Sequence, residues 1–193
     1  MAMRSLLRRF DAIVRRASGV IEFCEDPNCI LRIQPARCPH SLHLSDGTFV
    51  PKGAPVLLLH LWNEQLPSMG ETGAEVAWAT VFSRRLFHSF RLLAAEVAGN
   101  PRWANICALG GVTVLAPIGP AGQPDGLIPR LGFDVFPGPA GFWPRFRAFW
   151  ENLYTWAIMW TFNAGTLRTK RLFDLQRNEV WMSRRRLLER YGR

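Results

Sequence analysis

The stretch PVLLLHLWNEQLP, residues 55–67, decides the fold of this chain because a long apolar run ends abruptly in polar side chains. Residues 55–62 are almost continuously apolar, which is the pattern of a central strand buried on both faces. His60, Asn63 and Glu64 stand at its end. Ligand sites in open α/β sheets favour such strand ends, so the stretch predicts both the centre of a sheet and the mouth of a site.

The residue types at this strand end suit chemistry as well as binding. In a strand, His60 and Trp62 share one face and Leu61 takes the other. His60 can act as a general base, Glu64 can orient it or bind a cation, and Asn63 can hold a carbonyl or hydroxyl group. We take His60, Asn63 and Glu64 as the candidate catalytic set. The alternative of a structural histidine and an asparagine that caps the next turn stays open.

Before this stretch, the pattern predicts strands. Residues 29–34 alternate between apolar and polar side chains, which indicates a strand. Asp46-Gly47 lies between two short apolar runs, which is a strong local signal for a β-hairpin.

A long helix should follow the central strand. Thr72 and Glu75 form a capping box, and Gly99 and Pro101 end the helical pattern. The apolar stripe at helical spacing consists of Phe82, Leu86, Phe90, Leu93 and Val97.

Further strands and helices complete the pattern. We predict a strand at 111–117, a short helical turn leading into a strand at 133–136, a helix from Pro144 to Phe162, a strand at 179–182, and a helix that Ser183 caps and that runs to Tyr191. This order predicts an α+β sandwich: a mixed, largely antiparallel central sheet with flanking helices. We expect one domain over 1–193, with an amphipathic helix in 1–19 and an aromatic, basic helical region in 142–193.

Composition and charge restrict the class of protein. The 193 residues are 48% hydrophobic and 20% charged, and the net charge of +9 predicts an anionic partner. Leu6, Phe10 and Ile13 fall on one side of a helix over 3–17, as is typical of a helix on an anionic membrane. The arginines that would face the membrane are Arg4, Arg8, Arg9, Arg15 and Arg16. The alternative is an ordinary helix packed on its own domain.

No secretory signal and no run of ~20 apolar residues is present in the sequence. We therefore expect a cytoplasmic protein, peripheral on the inner membrane. An anionic membrane surface or lipid is the expected partner, a protein partner is an alternative, and the spacing of the tryptophans disfavours nucleic acid.

The predicted ligand-binding residues are mostly aromatic. The helix over 143–162 has aromatic side chains on much of its circumference and suits either a lipid-pocket wall or a buried core. The full predicted set is Trp62, Trp150, Trp156, Trp181 and Ser183.

The sequence predicts no metal. Cys24, Cys29 and Cys38 are spaced more loosely than the cysteines of a closed zinc site. In a cytoplasmic protein these cysteines are expected to be thiols.

Several segments resemble the YkoP-like domain: DGTFVPKGAPVLLLHLWNEQLP (46–67), LGFDV (131–135) and VWMSRRRLLERY (180–191). That domain is uncharacterised and occurs beside polysaccharide deacetylase domains in some bacterial proteins. The resemblance covers most of residues 40–192, and it implies a bacterial protein with a cell-envelope context. It supplies no known reaction and no catalytic residues.

A second, weaker similarity is to acyltransferases of the GNAT type, whose elements follow a similar order. In that fold the loop after the central strand holds the pyrophosphate of acyl-CoA. Here LPSMGETGAE (66–75) takes that place without the leading cation of the usual motif. No cofactor is therefore predicted, and acyl-CoA enters only through this similarity.

Two hypotheses remain. One is a membrane-surface binding module for a lipid, an envelope precursor or a protein partner. The other is an acyl- or group-transferase acting on a lipid or envelope precursor, with its pocket beside His60.

Overall fold

The computed structural model of the chain describes residues 19–67, 76–113, 127–138 and 178–192. The strands in these ranges are β1 Leu31–Arg37, β2 Leu42–His43, β3 Phe49–Val50, β4 Pro55–Leu61, β5 Ala108–Thr113, β6 Asp134–Phe136 and β7 Asn178–Ser183. The helices are α1 Val76–Gly99, α2 Leu127–Arg130 and α3 Arg184–Tyr191, with 3-10 turns at Asn63–Gln65 and Pro101–Trp103.

Five strands form one sheet in the order β1-β4-β5-β7-β6, and β2 pairs with β3 as a separate hairpin. Neighbouring strands of the sheet are antiparallel except β4 and β5, which are parallel. A parallel pair needs a crossover connection, and α1 lies within that connection. The protein therefore has a mixed, largely antiparallel sheet with flanking helices, and the predicted α+β class is confirmed.

The β2–β3 hairpin forms where Asp46-Gly47 predicted it. The N–H of Gly47 donates to the carbonyl of Leu44 at 2.9 Å, and Asp46 accepts from the N–H of Thr48 at 3.0 Å. Gly47 has φ of 82°, a left-handed conformation that glycine adopts without steric strain. The turn is therefore encoded locally.

Two apolar layers lie on the two faces of the sheet. On one face, Leu57, Leu109 and Met182 pack against the predicted stripe of α1, all of whose members are buried. On the other face, Val56, Ala108 and Trp181 pack against the hairpin. The hairpin contributes Leu42, Leu44 and Val50 to this second layer. The alternation of side chains along each strand supplies both layers.

Two strand boundaries differ from the predictions. β1 runs through Pro35 to Arg37, so the predicted strand at 29–34 was wrong at both ends. Proline is tolerated there because β1 is the edge of the sheet. β5 begins at Ala108, before the predicted residue 111, and Gly110 of this early part lies directly against the ring of Trp181.

The C-terminal predictions and the end of the long helix are confirmed. α1 ends at Gly99, and α2 is followed by β6 as predicted. Ser183 caps α3, accepting a hydrogen bond from the N–H of Arg186.

Some predictions lie outside the described residues. They are the helix over 3–17, the capping box of Thr72 and Glu75, and the helix from Pro144 to Phe162. Among the described helices, none is long and apolar enough to cross a membrane.

Candidate functional site

The parallel strands β4 and β5 pair only at their beginnings. Their ladder covers Val56–Leu58 against Ala108–Gly110 and goes no further. β4 nevertheless continues to Leu61 along β1, and β5 continues to Thr113 along β7. The hydrogen-bond ladder between β4 and β5 therefore ends at Leu58 and Gly110, although Gly111 still lies close to the backbone of Leu59. We call this unpaired carboxyl end of the strand pair the opening. This is the strand end that the sequence singled out, and it is where ligands bind in open α/β sheets.

Burial changes along β4 toward this opening. Val56 and Leu57 are buried, whereas residues 58–61 are only half-buried. The predicted burial on both faces therefore holds for the first half of the strand. On the neighbouring strand, the side chain of Val112 is 50% exposed.

Arg32 is the centre of the polar cluster at this end of the sheet. Its position on β1 lies directly opposite His60 of β4, and its side chain is only 5% exposed. The guanidinium lies 3.0 Å from a carboxylate oxygen of Glu22 and 3.4 Å from one of Glu64. It also stacks over the ring of Trp62 at 4.4 Å from the centroid. A cation buried to this extent needs such partners because it has left water.

His60 belongs to the same cluster through β1. Its Nε2 atom lies 2.8 Å from Oε1 of Gln34, two positions along the face that carries Arg32. Burial, and to a smaller extent the guanidinium of Arg32, lowers the pKa of His60. The imidazole is therefore neutral at pH 7, when it can both accept and donate a proton.

The backbone after β4 is fixed on two sides. The N–H of Trp62 donates to the carbonyl of Ile30 at 2.8 Å. The 3-10 turn that follows is tied to α1, because Arg85 donates to the carbonyl of Gln65 at 2.8 Å. Trp62 and Glu64 are thus held in place by the main chain as well as by Arg32.

The structure brings together three of the predicted residues, His60, Trp62 and Glu64. Asn63 begins the 3-10 turn, and its side chain is outside what the structure describes. Trp150, Trp156 and the five arginines of the N-terminal segment also lie outside the described residues. The catalytic, ligand-binding and membrane-facing roles of all these residues remain predictions.

Trp181 and Ser183 lie on a different part of the sheet. Trp181 is 2% exposed, and its Nε1–H donates to a buried carboxylate, that of Glu179, at 3.0 Å. Ser183 is 1% exposed and donates to Asp46. Trp181 belongs to the apolar layer under the hairpin. Ser183 lies opposite Ala108 at the start of β5, and Trp181 lies opposite Gly110.

Three segments that carry the family resemblance meet at Arg186. Asp46 comes from DGT, Asp134 from LGFDV, and Ser183 and Arg186 from the WMSRRR segment. Arg186 lies 3.3 Å from Asp134 and 3.9 Å from Asp46. This cluster ties the hairpin, β6 and α3 to one another.

The sequence reasoning missed Arg32, Gln34 and Glu22. The alternation in CILRIQ places Arg32 and Gln34 on one face, and that signal was available. What the sequence does not contain is the register that sets Arg32 opposite His60, because the two strands are joined by a hairpin-containing connection rather than by a tight turn.

The cysteines within the described residues are free thiols. Burial raises the pKa of Cys24 to about 12, assisted by its hydrogen bond with Cys29. No group of three or more His, Cys, Asp and Glu side chains in the described ranges is arranged to hold a metal ion.

The fold and the site define an α+β protein with a polar cluster at the open end of a parallel strand pair. Residues 1–191 match the YkoP domain, and the chain belongs to this family. No curated protein and no solved structure matches the chain. The similarity in element order to GNAT-type acyltransferases therefore stays a prediction.

Proposed function

We propose that this YkoP-domain protein is a non-catalytic binding module at an anionic membrane surface. Its ligand is the polar part of a lipid or of a cell-envelope precursor. The observation that carries this proposal is the end of the β4–β5 ladder at Leu58 and Gly110, two residues before His60, which pairs with Arg32 of β1 on the other side of β4. Ligand sites in open α/β sheets lie at the carboxyl ends of the strands.

The polar side chains beside the opening support recognition because their positions are fixed before a ligand arrives. Arg32 is clamped between two carboxylates and the Trp62 ring, and His60 is held by Gln34. Polar groups that are already ordered lose little conformational entropy on binding. A half-buried indole beside them adds apolar contact area.

The alternative function, acyl- or group-transfer, is favoured by one observation. His60 lies beside the opening as a neutral imidazole, because burial lowers its pKa. A neutral imidazole is the form that removes a proton from an attacking hydroxyl or amine. A transferase would release free CoA thiol from acyl-CoA when an acceptor is present, and His60→Gln would abolish that release. A binding module would release none.

The binding proposal is tested with Glu64→Gln, which preserves shape and removes one charge. The full chain is titrated with two probes, a nucleotide sugar (UDP-N-acetylglucosamine) and a short-chain anionic phospholipid, by calorimetry or ligand-observed NMR. Glu64 positions the guanidinium of Arg32, the cation that would meet the anionic group of either probe, so its loss should weaken binding of the responding probe by roughly tenfold or more. The melting temperature should change little, because Glu22 still pairs with Arg32 and the glutamine amide oxygen can still accept a hydrogen bond from it.

The matched control is Glu189→Gln on α3, a carboxylate that is 68% exposed and far along the chain from the cluster. It should bind each probe like the unaltered chain. Equal binding by the two variants would remove the proposal. So would a Glu64→Gln variant that melts much earlier and loses binding only in proportion to its folded fraction, because Glu64 would then be structural.

A further inference from the structure

The outward face of α1 is both basic and partly apolar. Val81, Arg84, Phe87 and Arg91 are all exposed, with 43% exposure for Val81 and 38% for Phe87. At 100° per residue these four positions fall within an arc of roughly 120° on the side opposite the buried stripe. We call these four residues the α1 outer face.

The α1 outer face carries two arginines for which the described residues supply no counter-charge. In the described part of the chain, neither Arg84 nor Arg91 makes an ion pair, whereas Arg85 turns inward to the carbonyl of Gln65. The one acidic residue of α1, Glu96, accepts hydrogen bonds from Asn100 and Trp103 at the far end of the helix. Arg84 and Arg91 stand about 10 Å apart along the helix axis.

The C-terminal helix extends this charge. The ring of Tyr191 on α3 lies 6.1 Å from the ring of Phe87, and the guanidinium of Arg190 lies 5.9 Å from the Tyr191 ring. Arg190 also donates to the backbone carbonyl of Arg130, itself an exposed residue. The exposed Arg190 of α3 is therefore linked to Phe87 through the ring of Tyr191.

We propose that the α1 outer face, together with Arg190, docks this protein onto a bilayer that contains anionic phospholipid. Arginines that lack internal partners attract lipid phosphates, and the apolar side chains between them gain by entering the headgroup region. Nucleic acid fits less well, because Val81 and Phe87 occupy the same arc as the arginines and Val81 offers a phosphate backbone no contact. The inference rests on the membrane-surface part of the proposed function and not on the ligand site beside β4, which the titration with soluble probes tests separately.

The experiment compares two doubly substituted full-length chains that have lost the same net charge. Arg84→Gln/Arg91→Gln alters the α1 outer face, and Arg37→Gln/Lys52→Gln alters two exposed cations next to Gly53, whose carbonyl accepts a hydrogen bond from Arg37. Co-sedimentation is measured with vesicles of equal parts phosphatidylglycerol and phosphatidylcholine, and with phosphatidylcholine alone. Each basic side chain held at an anionic surface strengthens binding by roughly fivefold.

We expect Arg84→Gln/Arg91→Gln to reduce partitioning onto phosphatidylglycerol vesicles at least about tenfold, and the control pair to reduce it much less. Equal losses from the two pairs would mean that only net charge matters, and that result overturns the proposal. Failure of the unaltered chain to bind these vesicles overturns it too. Binding of a single-stranded RNA oligomer that Arg84→Gln/Arg91→Gln abolishes, with no vesicle binding, would assign the face to nucleic acid instead.

Discussion

The side chains of Asp46 and Ser183 are separated by 137 positions in the sequence and are joined by a hydrogen bond of 2.5 Å. The same carboxylate accepts from the N–H of Thr48 at 3.0 Å, and it lies near the guanidinium of Arg186. Ser183 in turn caps α3. One carboxylate thus connects the turn of the hairpin to the start of the C-terminal helix.

Substitution of Asp46 should reveal this connection through pH. Burial by itself would raise the pKa of Asp46, but the hydrogen bonds of Ser183 and Thr48 and the charge of Arg186 outweigh it and lower the pKa from 3.8 to about 2. Because the pKa of Asp46 is lower in the folded than in the unfolded protein, the ionised carboxylate stabilises the folded state at pH values above the unfolded pKa. This stabilisation is lost as the pH falls from about 4 to about 2. Asp46→Asn should therefore lower the free energy of unfolding at pH 7 by roughly 2 kcal/mol.

Chemical denaturation at pH 7 and at pH 2.5 measures this effect. The difference between Asp46→Asn and the unaltered chain should be large at pH 7 and small at pH 2.5. Glu189→Gln serves as the comparison because that carboxylate is 68% exposed. A constant difference across the pH range would show that Asp46 contributes through shape and not through its charge.

Gly110 should tolerate no side chain. A Cβ atom at this position would lie 2.1 Å from the carbonyl oxygen of Val180 and 2.6 Å from a ring atom of Trp181. The backbone cannot move away without breaking the β5–β7 ladder, so Gly110→Ala should destabilise the protein by roughly 3 kcal/mol. Gly99→Ala is the control, because a Cβ there meets no atom within 4 Å. Similar melting temperatures for the two variants would contradict the packing of Trp181 on Gly110.

The ring of His60 should titrate below the ordinary histidine value of about 6.5. Burial and Arg32 lower its folded pKa, so the unfolded chain takes up the proton first as the pH falls. The neutral imidazole of His60 therefore makes its whole contribution to stability above pH 6.5. This contribution decreases as the pH falls from 6.5 to the lower folded pKa of His60. NMR of the imidazole carbon-bound protons checks this, and a midpoint at or above 6.5 would show that His60 is solvated or paired with a carboxylate.

Residues 1–17 should contribute to membrane binding if they form an interfacial helix. The full chain should co-sediment with anionic vesicles, and raised salt should weaken this binding because charges are screened within about 8–10 Å at physiological ionic strength. A chain lacking residues 1–17 should bind more weakly. Equal co-sedimentation of the two chains would exclude this role for the segment.

The purified protein should contain no stoichiometric structural zinc. The spacing of Cys24, Cys29 and Cys38 does not suit a closed tetrahedral site. Elemental analysis of protein prepared without chelator gives the measurement. About one zinc per chain, lost on Cys24→Ser, would contradict this prediction.

The parts of the fold that were predicted from sequence are those that short patterns encode. The Asp46-Gly47 turn, the stripe of α1 and the cap at Ser183 each depend on neighbours within a few residues. The start of β5 carries a weak local strand signal because it contains Gly110, which packs against Trp181 from much later in the chain. Its boundary was therefore not predictable from the local pattern.

The sequence predicted where the candidate site lies, but it did not predict all of the residues that form it. The change from apolar to polar side chains after Leu61 marks the end of β4, so His60, Trp62 and Glu64 were found. Arg32, at the centre of the cluster, depends on strand register and on the 5% exposure that only folding produces. The opening between β4 and β5 is a further property of pairing, which no local pattern in either strand contains.

The place of β7 in the sheet has a consequence for synthesis on the ribosome. β7 lies between β5 and β6, so β6 has no sheet partner among the described strands until residues 178–183 have emerged. β1, β4 and β5 can assemble earlier, with one side of β5 unpaired. Because domains form from the N-terminus as translation proceeds, the nascent chain passes through a stage with an exposed strand edge. Chaperone engagement during translation should therefore be strongest between the emergence of β5 and that of β7.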